Sequence, residues 1–162
     1  MKTKGILLVL FGFSITLGAY AQTSDAEADA LINLLGVQKR EAISKLVPLN
    51  GKDSVVFWKV YEEYQKENKA NAKSRIQLYE QTAHSYGNMT SAVADSLSRR
   101  YFVNRMEQEK MLEKYYNKVK TSTNAVIAFE FYQAEVYLLT QIRAQIMSQI
   151  PTYGQLMSAT KK

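Results

Sequence analysis

At 162 residues the chain has the length of one domain and is too short for two of ordinary size. Hydrophobic residues make up 46% of it, which excludes a disordered chain, and the lack of cysteine excludes disulfides, thiolate metal sites and a cysteine nucleophile. The net charge of +6 is too small a basic excess for a nucleic-acid footprint, and two prolines and seven glycines leave room for long unbroken helices.

The first 21 residues read as a targeting segment. Lys2 and Lys4 give a positive start, Ile6 to Phe11 open an apolar stretch reaching about Gly18, and Ala19-Tyr20-Ala21 is a small-x-small cleavage site. The apolar run is short and interrupted by Gly12, Ser14 and Thr16, so a transmembrane anchor is the poorer account. The expectation is a signal peptide over 1–21 cleaved after Ala21, one helical domain over 22–152 and a flexible tail over 153–162, exported to a Gram-negative periplasm without stable membrane insertion. Removing two leader lysines leaves 19 basic residues against 15 acidic ones, a mildly basic mature chain.

Ser24-Asp25-Ala26-Glu27 reads as a capping box. It opens residues 26–47 as one helix weakened at Gly36, or as two short ones ending before Pro48. Leu49-Asn50-Gly51-Lys52-Asp53 then supplies Asn50 as N-cap and Asp53 in the positive first turn. From Lys52 to Tyr86 there is neither proline nor glycine, and Phe57, Tyr61, Tyr64, Ala72, Ile76, Tyr79, Ala83 and Tyr86 form an apolar stripe at helical spacing. This helix is about 50 Å long at 1.5 Å per residue.

Gly87 to Thr90 is a turn in which Thr90 or Asn88 caps a helix over Ser91 to about Lys120. That helix carries two stripes, Val93, Leu97, Tyr101, Met111 and Tyr115, and Phe102, Met106, Leu112, Tyr116 and Val119. Thr121 to Asn124 is a break, and the most apolar segment, Ala125 to Ile150, is a last helix stopped by Pro151. A short turn makes the two long helices antiparallel neighbours. Centred near residue 88, the hairpin pairs Phe57 with Val119, Tyr61 with Tyr115, Tyr64 with Leu112 and Asn68 with Gln108, and sets Glu62 near Lys114 and Lys69 near Glu107. Its polar middle and thin tip call for another layer, from the final helix or a second copy. The fold class is therefore all-α: a long antiparallel helical hairpin with additional N- and C-terminal helices, expected to be a homodimer.

The residue set offers little for catalysis. His84 is the single histidine and has no oriented partner of the kind a general base needs. Serines lack a nucleophile elbow, and no glycine loop cradles phosphate. The methionines are scattered, against the clustering that soft metals need. Glu107, Glu109 and Glu113 interleave with Arg105, Lys110 and Lys114 as a solvated charged face. The expectation is no enzyme, no catalytic residue, no metal, no cofactor and no nucleic acid. Glu135 stands apart: a carboxylate on an inner position of the last helix must find a donor, and Arg99, Arg100 and Arg143 are the candidates.

Taken in order, the capped Leu49-Asn50-Gly51-Lys52-Asp53, then Phe57-Trp58 with Tyr61 and Tyr64, and finally Phe131-Tyr132-Gln133-Ala134-Glu135 with Gln149-Ile150-Pro151 resemble the Spy/CpxP-like (LTXXQ-type) periplasmic helical proteins. The branch resembled is the one often labelled sensors of ECF-type sigma factors. The resemblance covers roughly residues 39–152. The first family motif keeps Leu49 but has Asn50 for threonine and Asp53 for glutamine; the second position keeps only Thr90. The resemblance implies a hairpin, often dimeric, with Leu49, Asn50, Asp53, Phe57, Trp58, Tyr61, Tyr64, Gln133, Glu135 and Pro151 as its structural motif. It also implies an ATP-independent chaperone or an envelope-stress adaptor, with unfolded or envelope proteins, or a membrane stress sensor, as partners. The family's metal-sensing histidines are missing. Aromatics flanking the thin tip, Tyr79, Tyr86, Tyr101 and Phe102, are the expected client contacts. A structural helical scaffold, or a Skp/OmpH-like chaperone without a sensing role, is the alternative.

Overall fold

The computed structural model describes residues 25–148. The expected signal peptide over 1–21, the opening Ser24 of the expected capping box, Pro151 and the expected tail over 153–162 lie outside them. Four helices follow one another: α1 (Asp25–Leu46), α2 (Gly51–Ser85), α3 (Ser91–Ser122) and α4 (Ala125–Met147), with a 3₁₀ turn at Tyr86–Asn88. The fold is all-α. Gly36 does not divide α1, which runs as one helix through it.

Each boundary has a local cause. Thr90 Oγ1 accepts from the Val93 amide at 3.3 Å, and Asn124 Oδ1 accepts from the amides of Val126 and Ile127 at 2.9 and 3.0 Å. Both satisfy donors that a helix start leaves open. Asn50 occupies the N-cap position of α2, but its side chain makes no capping bond. The residue after it, Gly51, enters α2 at φ +45, a left-handed conformation open to glycine at no steric cost. The start of α2 therefore rests on backbone geometry, with Asp53 in the first turn.

Consecutive helices pack against each other, and α1 closes back onto α4. Short connections at 47–50, 86–90 and 123–124 make every neighbour antiparallel. The added layer that the hairpin requires is thus supplied within one chain, by α1 and α4. All four helices and the connection after α1 feed one core: Ile43 and Val47, Phe57, Tyr61 and Tyr64, Leu112, Tyr115 and Val119, Ile127, Phe131 and Leu138. Phe131 sits among three rings of α2, with centroids 6.2 Å from Phe57, 6.3 Å from Tyr61 and 5.5 Å from Tyr64. All three contacts are edge-on, the favoured arrangement for aromatic quadrupoles.

The hairpin register differs from the expected one by about a helical turn. Tyr115 meets Tyr64, at 5.3 Å between ring centroids, where Tyr61 was expected. Lys114 pairs with Glu67 at 2.5 and 2.7 Å in place of Glu62, and Lys69 faces Asp29 of α1 at 3.7 Å in place of Glu107. The 3₁₀ turn Tyr86–Asn88 explains the slip, because it prolongs α2 past Ser85 and moves the centre of the hairpin beyond residue 88.

Burial on α2 also departs from the apolar stripe. Phe57, Tyr61, Tyr64, Asn68, Asn71 and Leu78 are buried, at alternating steps of four and three with Arg75 completing the series. That is the 3.5-residue period of a coiled-coil seam, which does not drift around the helix as a 3.6-residue stripe would. Ala83 and Tyr86, further round the helix, are exposed. On α3 the seam is Leu97, Asn104, Gln108, Leu112, Tyr115 and Val119, which draws on both expected stripes and leaves Phe102 and Met106 outside. Two seams meeting at their polar positions put a buried amide layer across the hairpin. Leu78, Tyr79 and Leu97 are buried beyond that layer, outside the main core.

Candidate functional site

Two features stand out: a buried polar spine inside the bundle and an apolar surface on its outside. The spine begins at Glu135, which is fully buried on α4. Its carboxylate accepts from Lys39 Nζ at 2.7 Å, from the Tyr64 hydroxyl at 2.7 Å and from the Tyr61 hydroxyl at 3.0 Å. The donor is therefore Lys39 of α1 with two tyrosines of α2, and not Arg99, Arg100 or Arg143. Arg99 is held by Asp95 and Arg100 by Gln81, both near the hairpin tip. Lys39 itself is 7% exposed, so the ion pair is desolvated on both sides. Such a pair persists only with its geometry and hydrogen bonds complete.

The tyrosine hydroxyls carry the spine onward. Tyr61 accepts from Gln65 Nε2 at 2.8 Å. Tyr64 accepts from Gln108 Nε2 at 3.3 Å and from Asn68 Nδ2 at 3.5 Å. Gln108 Oε1 in turn accepts from Arg75 Nη1 at 3.0 Å and Asn71 Nδ2 at 3.3 Å, and Asn104 Nδ2 donates to both Asn71 oxygens, the backbone one at 3.0 Å. Burial pushes both tyrosine hydroxyls well above their ordinary pKa, and the nearby Glu135 charge adds to it. They stay protonated and act as donors. The arrangement can lock all four helices in register.

The structural motif residues divide accordingly. Phe57, Tyr61, Tyr64 and Glu135 converge on the spine and its aromatic roof. Trp58 is half-buried beneath Arg40, whose guanidinium lies 4.4 Å from the indole and pairs with Glu62 at 2.8 Å. Leu49 packs against the core from the connecting loop. Gln133 is exposed on α4.

The four expected client contacts do not form one surface. Tyr79 is buried, 5.7 Å from the Tyr101 ring. The Tyr101 hydroxyl is bonded to Thr82 Oγ1 at 2.7 Å and to the Leu78 carbonyl at 3.1 Å. At the tip of the hairpin Tyr79 is buried and Tyr101 half-buried, the two rings packed on each other outside the main core. Tyr86 and Phe102 are exposed. Phe102 is joined on the outer face of α3 by Val103 and Met106, which composition alone does not separate from core residues. Phe102 is 65% exposed and Met106 56%. Arg99, three residues before Phe102, and Lys110, four after Met106, are helix-face neighbours and both exposed. A second exposed set, Val126, Phe129 and Tyr137, runs along α4.

Among the described residues no group of three or more histidine, cysteine, aspartate or glutamate side chains is placed to hold a metal ion. No helix among them is long and apolar enough to cross a membrane. Comparison of the chain with protein-family models, curated proteins and solved structures returns no match.

Proposed function

We propose that this chain is an exported helical binding protein of Spy/CpxP type, acting without nucleotide as a chaperone or envelope-stress adaptor. The observation that carries the reading is the outer face of α3. There Phe102, Val103 and Met106 are all exposed within little more than one helical turn, with Arg99 and Lys110 beside them. A folded chain gains nothing by leaving such side chains in water unless they meet a partner. Apolar contact contributes about 25 cal/mol per Å², enough for loose capture of an unfolded segment, while the cationic neighbours speed encounter and keep the complex soluble.

The Lys39–Glu135 spine belongs to the same reading as the rigid part. It fixes α1, α2 and α4 so that the apolar face can stay exposed without collapsing inward. A homodimer also belongs to it, formed through the Val126, Phe129 and Tyr137 stripe of α4. Light scattering tests this, and a monomer at micromolar concentration removes it. Mass spectrometry of the native protein should find Gln22 as the amino terminus.

The functional test replaces Phe102 and Met106 together with serine. Helicity should be retained, since both side chains are exposed, and suppression of aggregation of a reduced model client should fall. If the unmodified chain fails to suppress aggregation at several-fold molar excess, the chaperone reading goes and a scaffold role takes its place.

A further inference from the structure

The exposed face of α3 is not the only feature able to receive a ligand. Between α1, α2 and α4 lies a cleft with Ile32 and Leu35 on one side, Ile76 on another, and Ile142 and Ile146 on the third, and with Lys39, Gln65 and Lys69 also in its lining. The space that water-sized groups can enter is about 40 Å³, within a cleft of about 490 Å³ counted with its open mouth.

Two polar residues in the cleft lack the partner their chemistry calls for. Asn68 is 3% exposed, and its Oδ1 accepts no hydrogen bond from the described residues. Turning the amide over does not help: the single Tyr64 proton is committed to Glu135 at 2.7 Å, so only the Asn68 NH₂ can face that hydroxyl. A buried acceptor of this kind is rare in a folded protein and points to a donor supplied from elsewhere. The other residue is Arg75, whose guanidinium donates to neutral Gln108 and forms no ion pair with a carboxylate among the described residues. Burial lowers its pKa, and an anion beside a buried guanidinium favours its charged form. Asn68 and Arg75 both line the cleft and are linked through Tyr64 and Gln108 by hydrogen bonds.

We propose that this cleft binds the free C-terminal end of an apolar peptide. The terminal carboxylate pairs with Arg75, the last peptide N–H donates to Asn68 Oδ1, and an aliphatic terminal side chain lies against Ile76, Ile142 and Ile146. A carboxylate with an N–H one atom away and a branched side chain matches all three observations together, whereas a fatty acid lacks the donor and an inorganic anion lacks the aliphatic part. Gly36 also lines the cleft, and a Cβ built there meets nothing within 4 Å, so a larger side chain at this position would enter the cleft without displacing the helix.

The test is an NMR titration of the purified chain with acetyl-Ala-Ala-Leu as the free acid and, separately, as its carboxamide. The free acid should bind saturably, shifting the Asn68 side-chain amide and the Arg75 Nε–H. The carboxamide should bind about tenfold more weakly or worse, the loss expected for one charge-assisted bond. Arg75→Met should abolish the preference for the free acid, and Gly36→Leu should remove binding with helicity retained. Comparing two peptides on the unaltered chain keeps the answer independent of any variant's folding. No shift at these two groups into the millimolar range, or equal binding of acid and carboxamide, overturns the proposal and leaves water as the Asn68 partner.

Discussion

Replacing Lys39 with methionine tests whether the buried Lys39–Glu135 pair holds this core together. The substitution keeps the length of the aliphatic stem and removes the ammonium, leaving the Glu135 carboxylate fully buried with only the Tyr61 and Tyr64 hydroxyls as donors. A charge-assisted hydrogen bond contributes about 1.5–3 kcal/mol, and removing one partner of a buried pair costs about 3–5 kcal/mol because the remaining charge is stranded. Lys39→Met should therefore destabilise the chain by about 3–5 kcal/mol and lower its melting temperature by roughly 10 °C or more.

Glu135→Gln should cost less, because the Lys39 ammonium lines the cleft beside α2 and can turn toward water there. The double variant Lys39→Met with Glu135→Gln leaves no stranded charge and keeps an acceptor for the tyrosine protons. It should recover at least about 2 kcal/mol relative to the sum of the single losses. Urea unfolding followed by far-ultraviolet circular dichroism measures all four corners of the cycle. If Lys39→Met costs under about 1 kcal/mol, the range of an exposed pair, or if the single losses simply add, the pair does not hold the bundle as argued.

Three further outcomes follow from the same contacts. Tyr61 and Tyr64 have folded pKa values raised by burial, so the stability they contribute is present below the ordinary tyrosine value of about 10 and is lost as pH rises above it. Alkaline titration should show two tyrosines ionising together with loss of helicity, and gradual ionisation without unfolding would contradict their burial. Glu63 and Glu67 are held below the ordinary carboxylate range, Glu63 by the Lys118 ammonium and Glu67 by Lys114 and the Tyr115 hydroxyl. Their contribution is present above about pH 4.3, is lost as pH falls further, and should shrink with added salt, which acid titrations at two ionic strengths would register. Gly36→Ala should stabilise the chain by about 0.5–1 kcal/mol, since it lies within α1 and its Cβ meets nothing; thermal unfolding is sufficient to see it.

Sequence alone determined the helices and their order, because the signals for them are local. A stretch without glycine or proline propagates a helix, Thr90 and Asn124 supply oxygen to open amides, and short connections force neighbours antiparallel. The carboxylate of Glu135 was legible as an inner group needing a donor, since its helix is the most apolar segment of the mature chain. Its partner was not. Lys39 lies 96 residues away in the chain, and only the closure of α1 onto α4 brings the two together. The one local trace is that Lys39 shares a helix face with Ile32, Leu35 and Ile43, where a lysine is out of place.

Tertiary structure also decided which side chains are inside. Helical spacing put Ala83 and Met106 on apolar stripes, whereas the 3.5-residue seam of two long helices left them exposed and took Asn68, Asn71, Asn104 and Gln108. Asn71, Asn104 and Gln108 are tolerated because they bond to one another across the hairpin, a condition no single helix can state, while Asn68 donates to Tyr64 of its own helix. The register depended on the 3₁₀ turn at Tyr86–Asn88, three residues whose conformation shifts every contact further down the hairpin. Helix formation is settled over a few residues; burial and pairing are settled only when the helices meet.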